Sequence, residues 1–73
     1  MKASEQIQHD RNTREKTTFS MRELCAIFNT DKGGVRRILR NASVGSGLQG
    51  KGGKDVWEYP AVLHAAQQWE AQQ

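Results

Sequence analysis

Four cationic side chains lie close together near the middle of this sequence: Lys32, Arg36, Arg37 and Arg40. Such a cluster can bind a polyanion, because guanidinium groups present paired N–H donors to phosphate oxygens and to the O6 and N7 atoms of guanine. Lys32, Arg36 and Arg40 are spaced four residues apart, which places them along one edge of a helix. Arg37 lies beside them.

The positive charge of the 73-residue chain is concentrated in the segment that carries this cluster. The whole chain has 11 Lys and Arg against 8 Asp and Glu, a net charge of +3. Residues 19–41 alone have a net charge of +3, residues 1–18 have +1, and residues 42–59 balance. Charge segregation of this kind is typical of a polyanion-binding face. A solvated helix face is the alternative, but no acidic residue within the predicted helix is placed to pair with these cations.

A helix over residues 32–42 would position the cluster. Asp31 is a suitable N-cap for it. The apolar side chains of this segment recur at helical spacing on the side opposite to the cations. They are Val35, Ile38, Leu39 and Ala42.

The preceding segment predicts a first helix over residues 21–28. Ser20 and Glu23 form an S-x-x-E capping box, and Phe19 stands before the cap, where it can pack on the first turn. Cys25 is expected as a small buried apolar residue. Asn29, Thr30 and Asp31 then form a short turn. Two helices joined by such a turn form a helix-turn-helix unit, whose second helix can enter the major groove of DNA.

Gly33 and Gly34 conflict with this helix, since each costs about 1 kcal/mol relative to alanine. Close approach of the backbone to a partner is one explanation. A late or irregular start of the helix is another.

A glycine-rich segment follows, with five of the seven glycines between residues 43 and 53. Residues 48–50 and 56–59 are predicted as short antiparallel strands. Their connection, Lys51-Gly52-Gly53-Lys54, would form a wing that lays lysines and backbone N–H groups on DNA. A merely flexible turn is the alternative.

The remaining segments complete an α+β domain with three helices and a two-stranded hairpin. Pro60 is predicted to start a last helix that ends near Gln72. The aromatic residues are expected in the core, and a stacking platform for single strands is the alternative. They are Trp57, Tyr59 and Trp69. Residues 1–18 have one large aliphatic side chain after Met1, Ile7, and are predicted to be a disordered polar arm. Residues 19–73 form the predicted domain.

Enzymatic and metal chemistry are not expected. No nucleophile has a base at a suitable spacing, and Cys25, His9 and His64 do not cluster as zinc ligands. No catalytic residue, metal or cofactor is therefore predicted, nor a small-molecule substrate. No signal peptide or membrane-spanning run is recognisable, which favours the cytoplasm, in association with the nucleoid.

The pattern resembles a known group of domains. The residues that carry the likeness are Met21 to Phe28, the turn ending in Asp31, Val35 and Ile38, Gly50 to Lys54, Val56 to Glu58, and Val62. Residues 19–70 are similar to the MerR-like winged helix-turn-helix domains of lambda-type terminase small subunits, phage excisionases, and Mu-type repressors and transposases. The resemblance implies that the second helix docks in the major groove and that the wing contacts the flanking minor groove or backbone.

Together these features predict a sequence-specific binder of double-stranded DNA, acting as a phage or mobile-element regulator or an excisionase-like factor. The DNA-binding domain of a packaging or transposition protein is an alternative, and a protein-interaction module or inhibitor is another. Useful specificity would need a dimer, tandem sites or a partner protein. The predicted DNA contacts are Lys32, Gly33, Gly34, Arg36, Arg37, Arg40, Lys51, Gly52, Gly53 and Lys54.

Overall fold

The structure, a computed structural model, describes residues 2–45, 47–49 and 55–72. These residues form four helices and three strands, an α+β arrangement as predicted. The elements in chain order are α1 (Ala3–Arg14), β1 (Thr18–Ser20), α2 (Met21–Phe28), α3 (Lys32–Asn41), β2 (Leu48–Gln49), β3 (Asp55–Glu58) and α4 (Tyr59–Ala71). The prediction of three helices is wrong by one, since α1 was not expected.

The predicted disordered arm is the main correction. Residues 3–14 form α1, and Thr18 already belongs to a strand. Ile7, the single large aliphatic residue of the segment, is fully buried, and Ala3 is 5% exposed. The chain needs no further apolar residues there, because α1 packs against α4 and α2, which supply the rest of the apolar surface.

Polar contacts fix α1 antiparallel to α4. Near one end, the backbone N–H and the hydroxyl of Ser4 donate to the two carboxylate oxygens of Glu70, at 2.9 and 3.0 Å. Near the other end, the Arg11 guanidinium lies 5.8 Å from the centre of the Tyr59 ring. These contacts span the sequence from one terminus to the other, which is why local pattern did not reveal them.

The sheet is antiparallel in the order β1-β3-β2. The predicted hairpin is confirmed as the β2–β3 pair, with Leu48 opposite Val56. The third strand, β1, pairs with β3 so that Phe19 lies opposite Trp57. The sequence does not predict this strand, because the position of Phe19 before the Ser20 cap predicts only that it packs on the next helix. Tyr59 starts α4 instead of ending the strand.

Local capping explains why α2 and α3 begin where they were predicted to. The backbone N–H of Glu23 donates to the Ser20 hydroxyl, at 3.3 Å, and that hydroxyl donates to the Glu23 carboxylate. The N–H of Gly34 donates to the Asp31 carboxylate, at 2.8 Å. Helix α2 has the predicted bounds, and α3 ends at Asn41, one residue earlier than predicted.

A single apolar cluster holds these elements together. Its fully buried large side chains come from five different elements, so every helix and β1 contributes one. They are Ile7, Phe19, Leu24, Val35 and Val62. Because so small a domain has a thin core, each of these contacts carries a large share of the stability.

Candidate nucleic-acid interface

Helix α3 separates its apolar and cationic side chains completely. The apolar residues predicted for its inner side are all buried, with Val35 fully so and Ile38 the most accessible at 8%. The four cations of the cluster, Lys32, Arg36, Arg37 and Arg40, are all exposed. Since successive residues of a helix turn by about 100°, the cations occupy the arc that the buried residues leave free.

No carboxylate in the described part of the chain forms an ion pair with the cations of α3. Among the residues that the structure describes, the one ion pair joins Lys16 Nζ to Glu23 Oε2, at 2.7 Å. Lys16 lies just before β1 and Glu23 lies in α2, so this pair involves none of the α3 cations. Their N–H donors therefore face solvent, as a surface for anions requires.

A groove of about 960 Å³ runs beside α3, between α2, the loop after α3, and β3. Three of the predicted contacts, Lys32, Arg36 and Arg40, line it together. Arg37 is exposed but does not line the groove, since it lies about 100° further around the helix than Arg36. The predicted cluster is thus divided into a groove side and an outward side.

Arg22 joins the groove side of this cluster, although it was not predicted as a contact. It is exposed in the first turn of α2 and lines the same groove as Arg36. The sequence held one signal for it, because Arg22 contributes to the positive charge of residues 19–41. What brings it beside α3 is the packing of two helices, which spacing along one helix cannot indicate.

The two adjacent glycines of α3 differ in whether the surrounding structure leaves room for a side chain. A Cβ atom at Gly34 would collide with the Thr30 side chain, including Cγ2 at 2.9 Å. A Cβ at Gly33 would meet only Asp31 Oδ1, at an ordinary 3.5 Å. Gly34 is therefore explained by close packing within the chain and not by a late helix start, since α3 begins at Lys32. Packing within the described chain does not require Gly33.

The predicted wing falls mostly outside the described residues. Its contact residues, Lys51, Gly52, Gly53 and Lys54, all lie there, so they stay predictions from the sequence. The structure does describe the strand residues on either side of this segment, where Gln49 lies opposite Asp55. Asp55 is exposed and lines the groove beside α3. The hairpin therefore emerges next to the cationic helix.

The aromatic residues contribute to the core, as expected. Trp57 is 6% exposed, and its indole N–H donates to the Gly45 carbonyl at 3.3 Å. Trp69 packs edge-on against Phe28, with ring centroids 5.1 Å apart. Rings engaged in this way do not form an open row on which successive bases could stack.

Cys25 differs from its prediction, because it is half-buried and lines the groove. In the described ranges, no group of three or more His, Cys, Asp and Glu side chains is placed to hold a metal ion. None of the helices within those ranges has the length and apolar character needed to cross a membrane.

Comparison of the chain with protein-family models, with curated proteins and with solved structures finds no match.

Proposed function

We propose that this chain binds double-stranded DNA through a winged helix-turn-helix, with α3 in the major groove. The observation that carries the proposal is the surface of α3, which exposes Lys32 and three arginines and buries every apolar side chain opposite them. A recognition helix needs this division, since one side must be held by the scaffold while the other offers donors to base edges and phosphates.

The surroundings of α3 support the same proposal. Helices α2 and α3 are joined by three residues, Asn29 to Asp31, as in a helix-turn-helix unit. In such a unit the first helix crosses the DNA backbone, a position that suits Arg22 for a phosphate contact. The hairpin that follows would carry the predicted wing. We infer a role as a phage or mobile-element regulator or an excisionase-like factor.

The cations of α3 would have different tasks. Arg36 and Arg37 lie in the first half of the helix, the part that usually reaches the base edges. Arg40 lies one turn further on and is assigned to phosphate. Gly33 exposes bare backbone between Lys32 and the arginines, so the start of the helix can approach the DNA closely.

The test is a salt titration of duplex binding, preceded by selection of preferred sequences from a random duplex library. The logarithm of the binding constant should fall linearly with the logarithm of salt concentration, with a slope of about −0.9 for each phosphate neutralised. Arg40→Gln should reduce the magnitude of this slope by about 1, while Arg14→Gln, an equal charge change at an exposed position of α1, should leave it nearly unchanged.

Absence of duplex binding at low salt would reject the proposal. If Arg40→Gln and Arg14→Gln reduce the slope equally, the net charge of the chain, and not the surface of α3, accounts for the binding. A preference for single strands over duplex would contradict docking in the major groove.

A further inference from the structure

The groove beside α3 has an apolar floor that DNA binding does not explain. Met21, Cys25 and Val44 are half-buried in it, and Leu39 and Trp57 form its deeper part. Its rim is cationic, because among the described lining residues Arg22, Lys32, Arg36 and Arg40 outnumber the one acidic residue, Asp55.

Phosphates and base edges would contact the cationic rim of this groove without covering its floor. The sugar-phosphate backbone is polar and convex, so it gains little from a concave apolar surface below it. A ligand that covers the floor needs an apolar body, and one that uses the rim needs a negative charge.

We infer that the groove binds a small organic anion with an aromatic or extended apolar body and a terminal carboxylate, sulfonate or phosphate. The volume of about 960 Å³ lies within the range of about 300–1,000 Å³ that is usual for small-molecule sites. The apolar body would lie against Met21, Val44 and the edge of Trp57. The anionic group would lie at Arg36 and Arg40, because guanidinium groups bind such oxygens through two parallel hydrogen bonds.

This ligand would compete with DNA, a consequence that rests on the proposed function. Lys32, Arg36 and Arg40 belong both to the groove rim and to the proposed DNA surface. An anion bound there neutralises them and occupies their donors. The organic anion would thereby lower DNA affinity without a change of fold.

The experiment uses 1-anilinonaphthalene-8-sulfonate and its uncharged parent, N-phenyl-1-naphthylamine. The sulfonate should bind the folded chain one to one, and the uncharged dye should bind at least about fivefold more weakly, since it lacks the charge-assisted contacts. Amide NMR shifts should map the sulfonate to Met21, Cys25 and Val44. A near-ultraviolet circular dichroism spectrum that persists with the dye excludes binding to a loosened core.

Two variants with the same charge change separate the groove from the outward side of α3. Arg36→Gln should weaken sulfonate binding about fivefold, while Arg37→Gln, one residue along the helix and outside the groove, should change it less than about twofold. Equal effects of the two variants, or shifts that map elsewhere, would overturn the inference. If sedimentation shows that the chain is a dimer and that the dimer does not bind the dye, the groove is an interface with a second copy. That result would also overturn the inference.

The competition experiment adds saturating sulfonate to the DNA complex and should lower the DNA affinity of the chain at least about tenfold. If the chain binds the dye in the groove but binds no DNA, the ligand site stands and the proposed function fails. If DNA binds and the dye does not, the proposed function stands and this inference fails.

Discussion

Helices α1 and α3 are both polar and both carry several charged residues, yet they arrange these charges differently. Helix α3 buries its apolar side chains in a continuous group and exposes four cations that no described carboxylate pairs. Helix α1 distributes its charges around its surface. Its Asp10 is nearly buried and accepts from Gln6, and its Arg11 lies over the Tyr59 ring.

The difference shows that the organisation of charge matters more than its amount. A helix whose cations are dispersed among anions or held by neighbours offers a polyanion no continuous surface. A helix whose cations occupy one exposed arc does. We therefore expect α1 to support the fold and α3 to make the proposed DNA contacts, and the following changes test that division.

Ile7→Ala should produce the largest effect, because Ile7 is fully buried and belongs to α1. Removing a buried isoleucine side chain typically lowers the free energy of unfolding by about 2–5 kcal/mol. Urea denaturation followed by circular dichroism measures this loss, and Gln8→Ala at the exposed neighbouring position is the control. An Ile7→Ala variant as stable as the control would mean that α1 does not belong to the folded domain.

Arg36→Ala should relax sequence preference, since an arginine that contacts a base contributes about 1–3 kcal/mol of discrimination. Binding of preferred and scrambled duplexes at one salt concentration measures the ratio. Arg14→Ala, at an exposed position of α1, should leave that ratio unchanged. If Arg36→Ala weakens binding to all sequences equally, Arg36 contacts phosphate and the reading of bases lies elsewhere on α3.

Gly33→Ala and Gly34→Ala should have opposite effects on stability. Gly33 has room for a Cβ, so alanine should raise the free energy of unfolding by up to about 1 kcal/mol. Gly34→Ala should lower it, because the new Cβ collides with Thr30, and adding Thr30→Ala should recover part of the loss. If Gly33→Ala stabilises the fold without weakening DNA binding, α3 does not approach DNA through its bare backbone at that position.

Ser4→Ala should have the smallest effect, lowering the free energy of unfolding by about 0.5–1 kcal/mol. The change removes the hydroxyl bond to Glu70 Oε2 and leaves the backbone N–H bond to Oε1. Thermal unfolding measures it against Thr13→Ala, which removes an exposed hydroxyl bonded one turn back on α1. A larger loss for Thr13→Ala would argue against the Ser4 contact as the link between α1 and α4.

Sequence reasoning succeeded where the determinants are local. The bounds of α2 follow from Ser20 and Glu23 at its start and from apolar residues at helical spacing. The start of α3 follows from Asp31. The hairpin follows from the alternating residues of its second strand and from the glycine-rich segment that precedes them. Each of these signals lies within a few residues of the element that it fixes.

The failures concern contacts between distant parts of the chain. Helix α1 looked too poor in apolar residues because the apolar surface that it covers belongs to α4 and α2. Strand β1 is three residues long, and its pairing with β3 is what defines it as a strand. The position of Arg22 beside Arg36 depends on how two helices pack.

Helical periodicity and the identities of the residues suffice to predict which face of α3 is cationic. Folding is what brings α1 into the domain, through its packing against α4 and α2. It also places Lys32, Arg36 and Arg40 in a groove with Arg22, while Arg37 lies outside that groove. The reason is physical: periodicity is a property of one segment, whereas burial and the shape of a groove arise from surfaces of different segments that meet only on folding.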